Sequence, residues 1–120
     1  MRSVCRVAAR DGALLASIAF CLVFAPPSGA GAGDIKAGRE KAQACAVCHG
    51  LDGLAKIAEA PNLAGQNERY LIEQLSAFKA GDRKNEMMSI VIEALSSDDI
   101  ENLAAYYSAI EISVVKVPGQ

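Results

Sequence analysis

Three stretches of this chain carry apolar residues at helical spacing, and the segments between them do not. Ile35, Gly38, Ala42 and Cys45 recur along one face of residues 34–48, the period of an α-helix. Asp34 stands where an N-cap belongs, and Gly50, Asp52 and Gly53 break the pattern. Residues 51–66 show no period and are punctuated by Pro61-Asn62 and Gly65, so a long loop is predicted. Asn67 caps a second helix reaching about Ala80, with Leu71, Leu75 and Phe78 at i, i+4 and i+7 as its inner stripe. Gly81-Asp82 ends it, since glycine is the residue that most readily closes a helix in a left-handed turn.

Residues 83–95 contain Met87, Met88, Ile90, Val91 and Ile92 and predict a loop followed by a short helical turn. Ser96 or Ser97 caps the last helix, with Asp98 and Asp99 in its positively polarised first turn. Ile100, Leu103, Tyr106 or Tyr107, and Ile110 form its buried face. The Val-Val-Lys-Val run in residues 111–120 is β-like, but a lone strand has no partner. No internal repeat is visible. The expected fold class is all-α, with three main helices and long loops.

The N-terminal residues follow another logic. Arg2, Arg6 and Arg10 precede an uncharged apolar run from Ala13 to Ala25, followed by Pro26-Pro27 and the small residues Ser28 to Gly33. This is the layout of a cleaved secretory signal, and the run is short for a membrane span. Cleavage after Ala32 or Ala30 fits the small-residue rule. Ala32 is favoured, giving a signal peptide at 1–32 and one domain at 33–120. Cys21 makes a poor lipoprotein site, because Phe20 occupies a position that wants a small residue.

Cleavage changes the chemistry that is left. Of four cysteines, Cys5 and Cys21 lie in the leader, leaving Cys45 and Cys48. The leader also holds three of the 12 basic residues and one of the 14 acidic ones, leaving 9 and 13 and a formal charge of −4. That sign disfavours nucleic-acid binding. A domain this small, without Trp and rich in Ala, is marginal unless something staples it. A large flat apolar cofactor meets that need.

Cys45-Ala46-Val47-Cys48-His49 is the segment that identifies the cofactor. Residues three apart on a helix share a face, so the two thiols can form thioethers with one edge of a haem. His49 then follows within reach of the iron. C-x-x-C-H is the signature of c-type haem attachment, and His49 is the only histidine in the chain. A thiol–disulfide site also uses C-x-x-C but normally opens a helix, where the first thiol's pKa is lowered; here the pair is expected to close one. A structural zinc needs two further Cys or His ligands, which residues 33–120 lack. A second axial ligand cannot be histidine. Methionine is the alternative, and Met87 and Met88 are the candidates.

From Gly38 to Ile110 the sequence resembles class I c-type cytochromes. It is most like a single-haem half of the periplasmic di-haem cytochromes c and related small monohaem cytochromes. The resemblance rests on Cys45-Ala46-Val47-Cys48-His49-Gly50, Pro61-Asn62-Leu63-Ala64-Gly65-Gln66, Tyr70-Leu71, Gln74-Leu75, Phe78-Lys79-Ala80-Gly81, Met88, Leu95-Ser96 and Leu103-Ala104-Ala105-Tyr106-Tyr107. It implies the cytochrome c fold wrapped around one covalently bound haem c.

In that family the ligand methionine lies seven residues before the leucine of the Leu-Ser cap, which implies Met88. The resemblance also implies that Pro61 accepts a hydrogen bond from the proximal histidine, that Arg83 approaches a haem propionate, and that Gly38 meets Tyr106 where terminal helices cross. Tyr70, Leu71, Leu75 and Phe78 are expected in the haem pocket. One haem domain is expected here rather than two.

The expected function is one-electron transfer in the periplasm through a haem with His49 and Met88 as axial ligands. Redox partner proteins are expected, with no stable membrane insertion after cleavage and no catalytic residues. The alternatives are a haem c subunit of a multi-subunit dehydrogenase and, less favoured, a thiol–disulfide oxidoreductase.

Overall fold

The computed structural model describes residues 33–119; the expected leader, 1–32, lies outside the described residues. Every regular element described is helical: α1 (Ile35–Lys41), a 3₁₀ turn (Ala42–Ala44), α2 (Ala46–His49), α3 (Glu68–Ala80), α4 (Glu86–Val91), a second 3₁₀ turn (Ile92–Ala94) and α5 (Ser97–Ser108). Among the described residues no helix is long and apolar enough to cross a membrane.

The caps fall where the sequence places them. Asp34 Oδ1 accepts from the N–H groups of Lys36 (2.8 Å) and Ala37 (3.0 Å), and Asn67 Oδ1 accepts from Tyr70 N–H at 3.0 Å. Gly81 closes α3 at φ +79°, a conformation in which a Cβ would be strained. Of the two serines, Ser96 is the cap of α5. Its hydroxyl accepts from Asp99 N–H (3.1 Å), and the Asp99 carboxylate accepts from Ser96 N–H (2.9 Å). This reciprocal box satisfies two backbone donors that a helix start leaves unpaired.

Helices α1 and α3 both pack on α5. The α1 crossing is close because Gly38 has no side chain: a Cβ there would stand 2.0 Å from the Asn102 carbonyl oxygen and 2.8 Å from Tyr106 Cβ. Asn102 Oδ1 also accepts from Asp34 N–H at 2.6 Å, and Lys41 pairs with Asp99 at 2.9 Å. The core between these helices comprises Ala42, Leu71, Phe78, Ile92, Leu95, Ile100, Leu103, Ala104 and Tyr107. Full burial of side chains such as Ile92 and Leu103 contributes about 1.5–3 kcal/mol each.

Two expectations need correction. Residues 34–48 are not one helix: a 3₁₀ turn separates α1 from the four-residue α2, and Cys45 sits at their junction. Ala42, fully buried, and Cys45 both pack on the core, so the chain tightens to turn those positions inward. Met87 and Met88 lie within α4 rather than in a loop, because Asn85 Oδ1 accepts from both their N–H groups (3.1 and 3.0 Å) and starts the helix one residue before them. The tail beyond Glu111 forms no strand. Ile112 lies against Gly65, and Val114, Val115 and Val117 are exposed.

Candidate functional site

Cys45, Cys48 and His49 occupy a single turn. The amides of Cys48 and His49 donate to the Cys45 carbonyl at 3.3 and 2.9 Å, which turns both half-buried thiols and the imidazole off one short segment. Both cysteines are unpaired. Burial pushes the Cys45 thiol up, and the nearby Cys48 adds to the shift. A thiol–disulfide nucleophile needs the opposite shift. The pair does not close a long helix as expected: Cys45 stands at the N-terminus of the four-residue α2.

His49 is 7 % exposed. Its Nδ1 lies 3.0 Å from the Pro61 carbonyl oxygen; that oxygen can only accept, so Nδ1 donates, and in the neutral imidazole it is Nε2 that carries the lone pair. A buried imidazole with its second nitrogen committed in this way is arranged for metal ligation.

The loop that brings Pro61 back to His49 is held at several points. Gly50 leaves α2 at φ +72°, and Lys56 N–H donates to the Cys48 carbonyl at 2.8 Å. The Gly53 carbonyl accepts from Leu63 (2.8 Å) and Ala64 (3.1 Å), and Gly65 N–H donates to the Tyr107 carbonyl at 3.0 Å. Tyr106 Oη donates to the Leu51 carbonyl at 2.7 Å, and buried Tyr107 Oη donates to the Gly50 carbonyl at 3.2 Å. Burial pushes the Tyr107 phenol up, with the Cys45 thiol adding to it, so it remains a donor across the physiological range. These tyrosine bonds were not anticipated. Apolar period identifies the rings as core, but nothing local places their hydroxyls on residues 50 and 51.

The two methionines face different surroundings. Met88 is half-buried and packs on the core, as Cys45, Leu63, Ile72 and Leu75 also do. Met87 is 63 % exposed. The residue pattern alone left this pair open, and helix rotation separates them. Arg83 Nη1 donates to Gln74 Oε1 at 2.6 Å, and its guanidinium stands 4.6 Å from the Phe78 ring centroid. It is thus fastened to α3 rather than loose beside Lys84. Of the four residues expected around a haem, Leu71 and Phe78 are buried, Leu75 is half-buried, and Tyr70 is exposed.

The donor set fits a c-type haem: two unpaired thiols three residues apart, a buried imidazole with a free Nε2, and a half-buried thioether packed on the same core. A sequence model of the family described as cytochrome c matches residues 35–109. The chain is 42% identical over 92 residues to a cytochrome c4 of Stutzerimonas stutzeri, across 69% of this chain and 44% of that protein. It is 41% identical over 83 residues to cytochrome c-554(548) of Halomonas halodenitrificans, across 67% of this chain and all of that protein. The crystal structure of reduced recombinant cytochrome c4 from Pseudomonas stutzeri superposes with a TM-score of 0.64 at 42% identity, covering 69% of this chain and 48% of that one. The chain therefore spans less than half the length of the cytochrome c4 relatives, and the whole length of the shorter one.

Proposed function

We propose, for a chain that belongs to the cytochrome c family, that it is a one-electron carrier of the periplasm, with His49 and Met88 as the axial ligands of its haem c. The observation that carries this reading is the His49–Pro61 hydrogen bond, which commits Nδ1 and leaves Nε2 for iron. Cys45 and Cys48 hold the haem by thioether bonds, so it cannot dissociate. Met88, inward-facing on α4, supplies the sixth ligand, and a Met/His pair raises the reduction potential. When bound, such a haem supplies a metal that changes charge by one electron without changing ligands. The protein's part is to fix the ligands and exclude water. Arg83, anchored on Gln74 and Phe78, is assigned to a haem propionate.

The leader, 1–32, directs export and is removed, leaving residues 33–120 to mature outside the cytoplasm. Partners are redox proteins that dock briefly. One feature supports the second reading, a fixed subunit of a dehydrogenase complex: Ile112, Val114, Val115 (95 % exposed) and Val117 form an exposed apolar run, and such runs mark association sites. Size-exclusion of the native extract separates the two. Elution at the mass of one small haem protein supports the free carrier; co-elution with a larger dehydrogenase supports the subunit.

The primary test is the mass and spectrum of the exported protein. The expected mass is that of residues 33–120 plus one haem, with a methionine–iron charge-transfer absorption in the oxidised state. A mass equal to the polypeptide alone overturns the proposal.

A further inference from the structure

The loop between His49 and α3 is closed on one residue. Tyr107 lies in the last turn of α5, where backbone carbonyls lack their i+4 helical donors; its carbonyl accepts from Ile110 N–H at 3.4 Å. The same carbonyl also accepts from Gly65 N–H at 3.0 Å. Its phenol points the other way and donates to the Gly50 carbonyl at 3.2 Å. Residues 50 and 65 are the two ends of the loop that carries Pro61, so the main chain and the side chain of one buried residue hold both ends. The ring itself is 3 % exposed and belongs to the core, tilted 57° against Tyr106 at 5.1 Å between centroids.

Tyr106 differs in this respect. Its hydroxyl reaches Leu51, while its Cβ faces Gly38 at the helix crossing. It holds one end of the loop and has no bond to the other.

We infer that Tyr107 is a positioning residue for the haem site: by tying Gly50 and Gly65 together it sets how closely the Pro61 carbonyl approaches His49 Nδ1. This rests on the reading of His49 as the iron ligand. A hydrogen bond to the second nitrogen makes a ligating imidazole more basic and so tunes the metal. A more basic ligand favours the higher charge on iron. Loosening the loop weakens that bond, makes the imidazole a poorer donor and raises the reduction potential. The coupling is intramolecular and short: phenol to Gly50, Gly50 to His49 through one peptide bond, and Gly65 to Pro61 through the tight Gly53–Leu63–Ala64 contacts.

The test uses the haem-loaded, reduced protein. Tyr107→Phe keeps the ring and removes the hydroxyl. The result expected is exchange of the His49 ring N–H with D2O roughly tenfold faster, the size of one ordinary hydrogen bond lost, together with a higher reduction potential. Tyr106→Phe is expected to change both less. If Tyr107→Phe lowers thermal stability but leaves ring exchange and potential unchanged, or if Tyr106→Phe matches it in both, the inference is overturned.

Should the variant not mature, the unaltered protein still decides. Exchange of the Gly65 amide and of the His49 ring proton should then show the same opening free energy and the same denaturant dependence. A Gly65 amide that opens freely while the ring proton stays protected overturns the clamp. The haem mass is read on the same sample, so a protein that carries haem but lacks the coupling refutes the clamp alone, and a protein without haem refutes the ligand reading beneath it.

Discussion

His49 and Met88 belong to segments held in different ways. Around His49, backbone and side-chain hydrogen bonds run to residues far along the chain: Nδ1 to Pro61, Gly50 to Tyr107, Leu51 to Tyr106 and Gly65 to Tyr107. Around Met88 the bonds are local. Asn85 caps α4 from within three residues, no residue of α4 is fully buried, and Ile90 is 70 % exposed. Just beyond α4, Lys79 of α3 donates its ammonium to the Glu93 carbonyl at 3.2 Å and to the Leu95 carbonyl. The difference teaches that the His49 segment is over-determined by tertiary structure, whereas the Met88 segment depends on a six-residue helix that is marginal by itself. Local opening concentrates where buried contacts are few, so the methionine side is the one that yields first.

The largest effect expected comes from the held side. His49→Ala should abolish accumulation of haem-loaded protein, read as loss of haem absorbance in the exported fraction. Met88→Ala should leave the haem attached and remove the methionine–iron charge-transfer absorption, and Met87→Ala should keep that absorption. The reverse pattern for the two methionines would transfer the ligand role to Met87 and break the comparison at its methionine end.

Gly38→Ala probes the frame beneath the His49 segment. Its Cβ cannot fit against the Asn102 carbonyl, and forcing α1 from α5 should cost roughly 1–3 kcal/mol of global stability in denaturant unfolding. Both ligands should be lost together. Asn85→Ala probes the Met88 segment alone: losing a cap costs about 1 kcal/mol. The charge-transfer absorption should then disappear at lower denaturant, while the global midpoint moves little. Equal shifts in both would show the two sides to be one cooperative unit.

The smallest effect is a pH dependence. The Ser96 N–H and the Lys41 ammonium hold the Asp99 carboxyl below its ordinary value. A group lowered in the folded state contributes stability above its unfolded pKa, near 4, and that contribution fades as pH falls through the folded value. Asp99→Asn should flatten the acid limb of the stability profile below about pH 4. Its effect on methionine ligation at neutral pH should be slight.

Much of this protein is legible because it is written locally. Asp34, Asn67 and Ser96 cap the next few residues, Gly81 closes the turn it occupies, and Cys45, Cys48 and His49 share one turn of backbone. For each, the partner lies within a few positions, so spacing alone determines the outcome. The break at residues 42–45 and the inward turn of Met88 over Met87 escaped that logic. Both depend on which face the assembled core presents to the segment, and no short window contains the core.

The sequence by itself determined the courses of α3 and α5, the caps at Asp34 and Asn67, and the cofactor that the two cysteines and one histidine can hold. Family resemblance pointed to the Pro61 carbonyl that meets His49, but only the tertiary structure decided which hydroxyls secure the loop behind it. Tyr107 and Gly50 stand 57 positions apart, and a bond over that distance exists only once α1, α3 and α5 have packed. Burial then favours the arrangement that gives each polar group a partner, because an unpaired one costs more than the bond itself contributes.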